Sequence, residues 1–136
     1  MLLTIEKVII LKSVSIFSET PEDILADIAS TIEELTLQPG DAVFEKGDPG
    51  QEMYIIVSGE MRVHDGDKTI ASLRTRDVFG ELAALDPEPR MATVTAEKET
   101  HLFKLRHDVI FELMTEHVDV AKGIIRVLCQ RLRCKV

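Results

Sequence analysis

Apolar positions along the chain change their period twice. Between residues 2 and 11 they recur at Leu2, Ile5, Val8 and Ile9, with Glu6 and Lys7 on the other side, which predicts a helix docked through that face. Pro21, Glu22 and Asp23 suit the first turn of a second helix, capped by Ser18 or Thr20. Its apolar face is Ile24, Leu25 and Ile28, and it should end near Thr31.

From Glu33 the period falls to two. Leu35 and Leu37 alternate with Glu34, Thr36 and Gln38, then Pro39-Gly40-Asp41 turns the chain. Val43 and Phe44 open another short strand, and residues 46–50 turn the chain again. Strands at 53–57, 61–64 and 69–73 follow, joined by Ser58-Gly59-Glu60 and by the hairpin turn Asp65-Gly66-Asp67. Beyond Val78, strands at 92–96 and 102–106 flank a polar turn. Six of the seven glycines fall between Gly40 and Gly80, as short strands joined by tight turns require.

Helical spacing returns from Asp108 with Val109, Ile110 and Leu113. It breaks near His117 and resumes at Val118, Ala121, Ile124, Ile125, Leu128 and Leu132. Lys122, Arg126, Arg131, Arg133 and Lys135 crowd the later turns, where cations complement the helix dipole. Helices, seven or eight short strands, then helices is the order of an α+β domain with segregated elements. Many short strands must hide their edges, which predicts a β jelly-roll barrel of about eight antiparallel strands, or a related small barrel. One domain is expected over residues 1–136, with leading helices at 2–31, the barrel at 32–106 and a C-terminal helix pair at 107–133.

Composition narrows the function. With 45% apolar and 29% charged residues the chain reads as a soluble globular protein. Its net charge of -8 argues against a nucleic-acid footprint, so a bound anion must be held locally. The first residues are apolar, but Glu6, Lys7 and Lys12 interrupt them, so neither membrane insertion nor a signal peptide is expected and the location reads as cytoplasmic. Cys129 and Cys134 lie five residues apart in one helix, a spacing that disfavours a bridge.

Candidate chemistry concentrates between Phe79 and Ala96. If the residues after Gly80-Glu81 make a short helical turn, its first amides face outward as an anion site, and Gly80 lets a ligand approach the backbone. Arg90 can add parallel charge-assisted bonds to phosphate oxygens. Glu81 would repel that phosphate, so its place fits a carboxylate accepting bonds from sugar hydroxyls. A ribose joined to a phosphate satisfies both residues.

The run F-G-E-L-A from Phe79, then Pro89-Arg90, then Ala92-Thr93-Val94 closely resembles the phosphate-binding cassette of cyclic nucleotide-binding domains. That family includes the catabolite activator and the regulatory subunits of cyclic-AMP-dependent protein kinase. The resemblance implies that Glu81 takes the ribose 2'-hydroxyl and Arg90 the cyclic phosphate, with amides of Leu82, Ala83 and Ala92 assisting. It also implies that Gly47, Gly50 and Gly59 are turn glycines, and that the helices at 107–133 act as hinge and lid. Cyclic-GMP-selective members often carry threonine directly after the arginine; Met91 has no hydroxyl, which inclines the reading to cyclic AMP (cAMP) over cyclic GMP. No tryptophan is present, so a lid over the base is either aliphatic or comes from Arg126, Gln130 or Arg131.

Other chemistries find no residue pattern. A metal site in such a barrel wants two histidines one residue apart beside a carboxylate, whereas His64 stands alone and His101, His107 and His117 lie at a strand end or in helices. Neither a metal nor a catalytic residue is expected. Taken alone, Glu81 and Arg90 would be a surface ion pair worth up to about 1 kcal/mol. The competing function is a ligand-free domain of the same fold acting as a docking or dimerisation module, a homodimer through its terminal helices included. The last helix reads as one that continues past Val136, so the regulated effector is expected in a longer protein or in a separate partner.

Overall fold

Residues 2–80 and 85–135 are described by the structure, a computed structural model. They divide into two compact units, a helical one from the two ends of the chain and a strand-rich one spanning Ile32–His107.

In the helical unit, α1 (Thr4–Lys12) packs against α2 (Glu22–Ala29), and a short 3-10 turn, Ser15–Phe17, lies between them in sequence. Glu6 reaches back to accept the Leu3 N–H at 3.0 Å, satisfying one of the orphan donors at the start of α1. The buried residues of α1 are Ile10 and Leu11, while Ile5 and Ile9 are exposed, which corrects the expected face. The run Val8-Ile9-Ile10-Leu11 is apolar all round, so spacing alone cannot choose its inner side. For α2 the expected face is right, with Leu25 and Ile28 buried and Ile24 half-buried. Its start is not capped as expected: Pro21 holds the cap position with no side-chain bond, Ser18 Oγ donates to the Ser15 carbonyl, and Thr20 is buried with no partner for its hydroxyl among the described residues. The fixed φ of proline presets the helix entry without a capping hydroxyl.

The C-terminal pair is α3 (His107–Glu116) and α4 (Val118–Lys135), broken at His117 as expected. Gly123 sits where α4 meets the 3-10 turn, and a Cβ there would stand 3.0 Å from Ile16 Cα and carbonyl carbon. That contact explains a glycine in mid-helix, where it otherwise costs about 1 kcal/mol relative to alanine. Val120 and Ile124 are buried, whereas Val118, Ile125 and Leu132 are exposed. No helix among the described residues is long and apolar enough to cross a membrane.

Eight strands make up the other unit, in two antiparallel four-stranded sheets as the jelly roll requires. They are β1 (Glu33–Leu37), β2 (Ala42–Phe44), β3 (Glu52–Ser58), β4 (Glu60–Asp65), β5 (Lys68–Arg74), β6 (Val78–Phe79), β7 (Thr93–Ala96) and β8 (Thr100–Arg106). One sheet runs β1-β8-β3-β6 and the other β2-β7-β4-β5. Alternate residues from both sheets meet in one core: Tyr54, Ile56, Phe79 and Leu102 from the first, Met61, Val94 and Ala96 from the second.

Three turns repeat one device. At 38–41, 45–48 and 74–77 the first residue's N–H donates to the Oδ2 of an aspartate three positions on, at 2.9, 2.9 and 2.7 Å, and the aspartate N–H returns to its carbonyl. The third position lies in the left-handed region, occupied by Gly40 and Gly47 at φ +91° and by Arg76 at φ +75°. Arg76 holds that backbone by donating its N–H to the Ile56 carbonyl and Nη1 to the Val57 carbonyl.

Candidate functional site

The second of these turns fixes Arg90. Arg90 N–H donates to the Asp48 carbonyl at 2.8 Å and its own carbonyl accepts the Gly47 N–H at 2.9 Å, so the chain entering β7 is laced to the turn after β2. Lys46 N–H adds a bond to Thr93 Oγ1 at 3.0 Å. The Arg90 side chain therefore turns inward over a floor of aromatic rings. Its Cζ lies 4.0 Å from the centroid of Phe44 and 5.9 Å from that of Tyr54. Phe44, Tyr54 and Phe79 pack on one another, Tyr54 stacked on Phe79 at 5.2 Å.

Arginine is only 6% exposed here, an unusual depth for a cation. Its Nη2 donates to the Glu52 backbone carbonyl at 3.0 Å and to Glu52 Oε2 at 3.2 Å. Two glycines make room for it. A Cβ on Gly50 would collide with Nε and would stand 2.6 and 2.8 Å from Cζ and Cδ, while a Cβ on Gly80 would stand 2.9 Å from Nη1. Gly50 does not have the positive φ of a turn glycine; it is small because the guanidinium lies on it, which corrects the turn role the resemblance implied. The Arg90 Nε is buried with no partner among the described residues. Such a donor on a buried cation is a point where an anion would be welcome.

Tyr54 responds to the same surroundings. Burial, and secondarily the Glu52 carboxylate, push its phenol up to about 12, against the lowering effect of Arg90. A raised phenol in the folded chain stabilises it below the ordinary tyrosine value, and that contribution is lost as pH rises from about 10 towards about 12. Because this is the chain's one tyrosine, alkaline titration of the folded protein should show no tyrosinate absorbance until well above pH 10. An absorbance midpoint at the ordinary value in a protein still folded would contradict the buried position.

Of the residues expected in the site, Phe79, Gly80 and Arg90 come together around the aromatic floor. Ala92 is half-buried beside β7, and Met91 is 80% exposed. Glu81, Leu82 and Ala83 lie outside the described residues. Among the lid candidates, Arg126 donates to Glu19 Oε2 at 3.4 Å within the helical unit, and Gln130 and Arg131 are exposed. Glu52 and the part that Phe44 and Tyr54 play in the aromatic floor were not singled out from sequence, and Gly50 was read only as a turn glycine. A carboxylate opening a strand looks like a solvated residue, and only the Gly-Asp pairs at 40–41 and 47–48 hinted that this loop was a built turn.

Comparison with known proteins adds to the geometry. A family model described as cyclic nucleotide-binding domain matches residues 34–117. A CRP-like cAMP-activated global transcriptional regulator of Mycobacterium tuberculosis is 28% identical over 129 residues, covering 91% of this chain. The N-terminal domain of a Streptomyces coelicolor transcriptional regulator superposes with a TM-score of 0.76 at 30% identity, covering 93% of this chain and 91% of that one. The regulatory domain of Toxoplasma gondii PKA, solved with cAMP, superposes with a TM-score of 0.72 at 28% identity, over 80% of this chain and 43% of that one. The chain spans 58% of the length of the mycobacterial regulator.

Proposed function

This chain belongs to the cyclic nucleotide-binding domain family, and from that premise we propose that it is a non-catalytic regulatory module that binds a cyclic nucleotide monophosphate and transmits binding through its C-terminal helices. The buried Arg90 guanidinium, whose Nε has no partner among the described residues, carries the reading, because a cation set that deep beside Gly80 suits a phosphate. In this reading Arg90 takes the cyclic phosphate, Glu81 the ribose 2'-hydroxyl, Gly80 lets the ligand approach the backbone, and the amides of Leu82, Ala83 and Ala92 assist. Phe79 belongs to the floor, and Met91, lacking a hydroxyl, favours cAMP over cGMP. No metal enters the mechanism. Phosphate binding at Arg90 is coupled to α3 and α4, which gain contacts that make the bound arrangement the lower in free energy.

The effector belongs to a longer form of the protein or to a separate cytoplasmic partner. A second reading, a ligand-free docking module, is favoured by one observation: Val118, Ile125 and Leu132 are exposed at seven-residue steps along α4, the spacing of a seam between two helices. That seam would equally serve a homodimer of a ligand-binding form. Calorimetric titration with cAMP and with cGMP tests the main reading, with saturable heat and a raised melting temperature expected, larger for cAMP. Silence in both measurements at millimolar nucleotide would leave the docking reading, which light scattering over a range of protein concentrations then examines.

A further inference from the structure

We propose that Glu52 sets how tightly this site holds a phosphate, by serving as an internal counter-anion for Arg90; the inference rests on the nucleotide reading above. The Glu52 Oε2 lies 3.2 Å from Arg90 Nη2, and the carboxylate is 29% exposed while the guanidinium is buried. The same Nη2 already has a neutral acceptor in the Glu52 backbone carbonyl at 3.0 Å. Arg90 therefore keeps one anchor whatever side chain stands at position 52. What the carboxylate adds is charge: it offsets the guanidinium in the ligand-free protein and repels any phosphate that approaches the same cation. One feature thus acts in opposite directions, stabilising the empty protein and weakening the loaded one.

Glu52→Gln separates the two effects, because the amide still accepts a hydrogen bond but carries no charge. Calorimetry of wild type and Glu52→Gln with cAMP should show about 3- to 10-fold tighter binding by the variant, a modest gain because water screens a partly exposed carboxylate. The ligand-free variant should melt at a lower temperature, since Arg90 loses its counter-charge. Glu52→Asp, which keeps the charge, should not tighten binding. If the glutamine variant does not fold, Glu52→Ser removes the same charge, leaves the backbone acceptor in place, and should tighten binding likewise. Wild type that binds, with neutral variants that bind equally or more weakly, would overturn the inference and leave the nucleotide reading standing. A matching gain in Glu52→Asp would overturn it too, because charge would then not be the cause. If neither wild type nor variant binds, the nucleotide reading fails and this inference with it.

Discussion

Arg90→Ala should weaken cyclic nucleotide binding by about 1.5 to 3 kcal/mol, the range for hydrogen bonds to a charged group. It should also lower the stability of the ligand-free chain, because the side chain is packed and not merely poised. It covers the Phe44 ring, fills the space over Gly50 and Gly80, and holds Glu52. Arg90→Lys should restore little of either, since an ammonium offers neither the flat face that lies on Phe44 nor the fork that meets a phosphate. Calorimetry and thermal melting of the two variants check both parts. Unchanged affinity in Arg90→Ala would remove this residue from the ligand site, whatever happened to stability.

For Gly50→Ala the expectation is a comparable loss of binding from one added methyl group. The new Cβ would overlap the guanidinium, and moving away from it would give up the contact with Phe44 or the bond to Glu52. Overpacking of this kind costs about 1–3 kcal/mol, and the displaced arginine would no longer meet a ligand in the same place. The two substitutions should be strongly non-additive. In the Arg90→Ala background the methyl group meets nothing from residue 90, so Gly50→Ala should then be nearly neutral. Additive losses in the double variant would mean that Gly50 acts through something other than Arg90.

The sequence revealed most of the architecture because alternation and turn residues are strong local signals. Strands β4 and β7 announce themselves by apolar residues two apart and β3 by a continuous apolar run, while Gly-Asp or Asp-Gly pairs mark the turns at 40–41, 47–48 and 65–67. Where local signals are ambiguous the reading went astray. In α1 the apolar residues surround the helix, so the buried pair Ile10 and Leu11 could not be told from the exposed Ile5 and Ile9. At the start of α2 the hydroxyls of Ser18 and Thr20 competed as caps, yet proline set the entry and neither was used.

The site shows the same division. Arg90 was legible because it stands in a recognisable run with Phe79 and Gly80. Its partner Glu52 was not, since the two are 38 positions apart and only the pairing of β3 with β6, and of the 45–48 turn with residue 90, brings them together. Gly50 was legible as a glycine but not as a cavity, because a residue following proline in a loop already has a sufficient reason to be small.

The aromatic floor has an optical consequence. The chain contains no tryptophan and a single tyrosine, and that tyrosine is stacked on Phe79 with the guanidinium of Arg90 5.9 Å from its ring. All of the intrinsic ultraviolet emission above that of phenylalanine therefore originates beside Arg90, the residue proposed to take the phosphate. The unlabelled protein carries its own reporter of Arg90 motion, and the rate at which the emission of Tyr54 changes on mixing with nucleotide would time the first step of the switch.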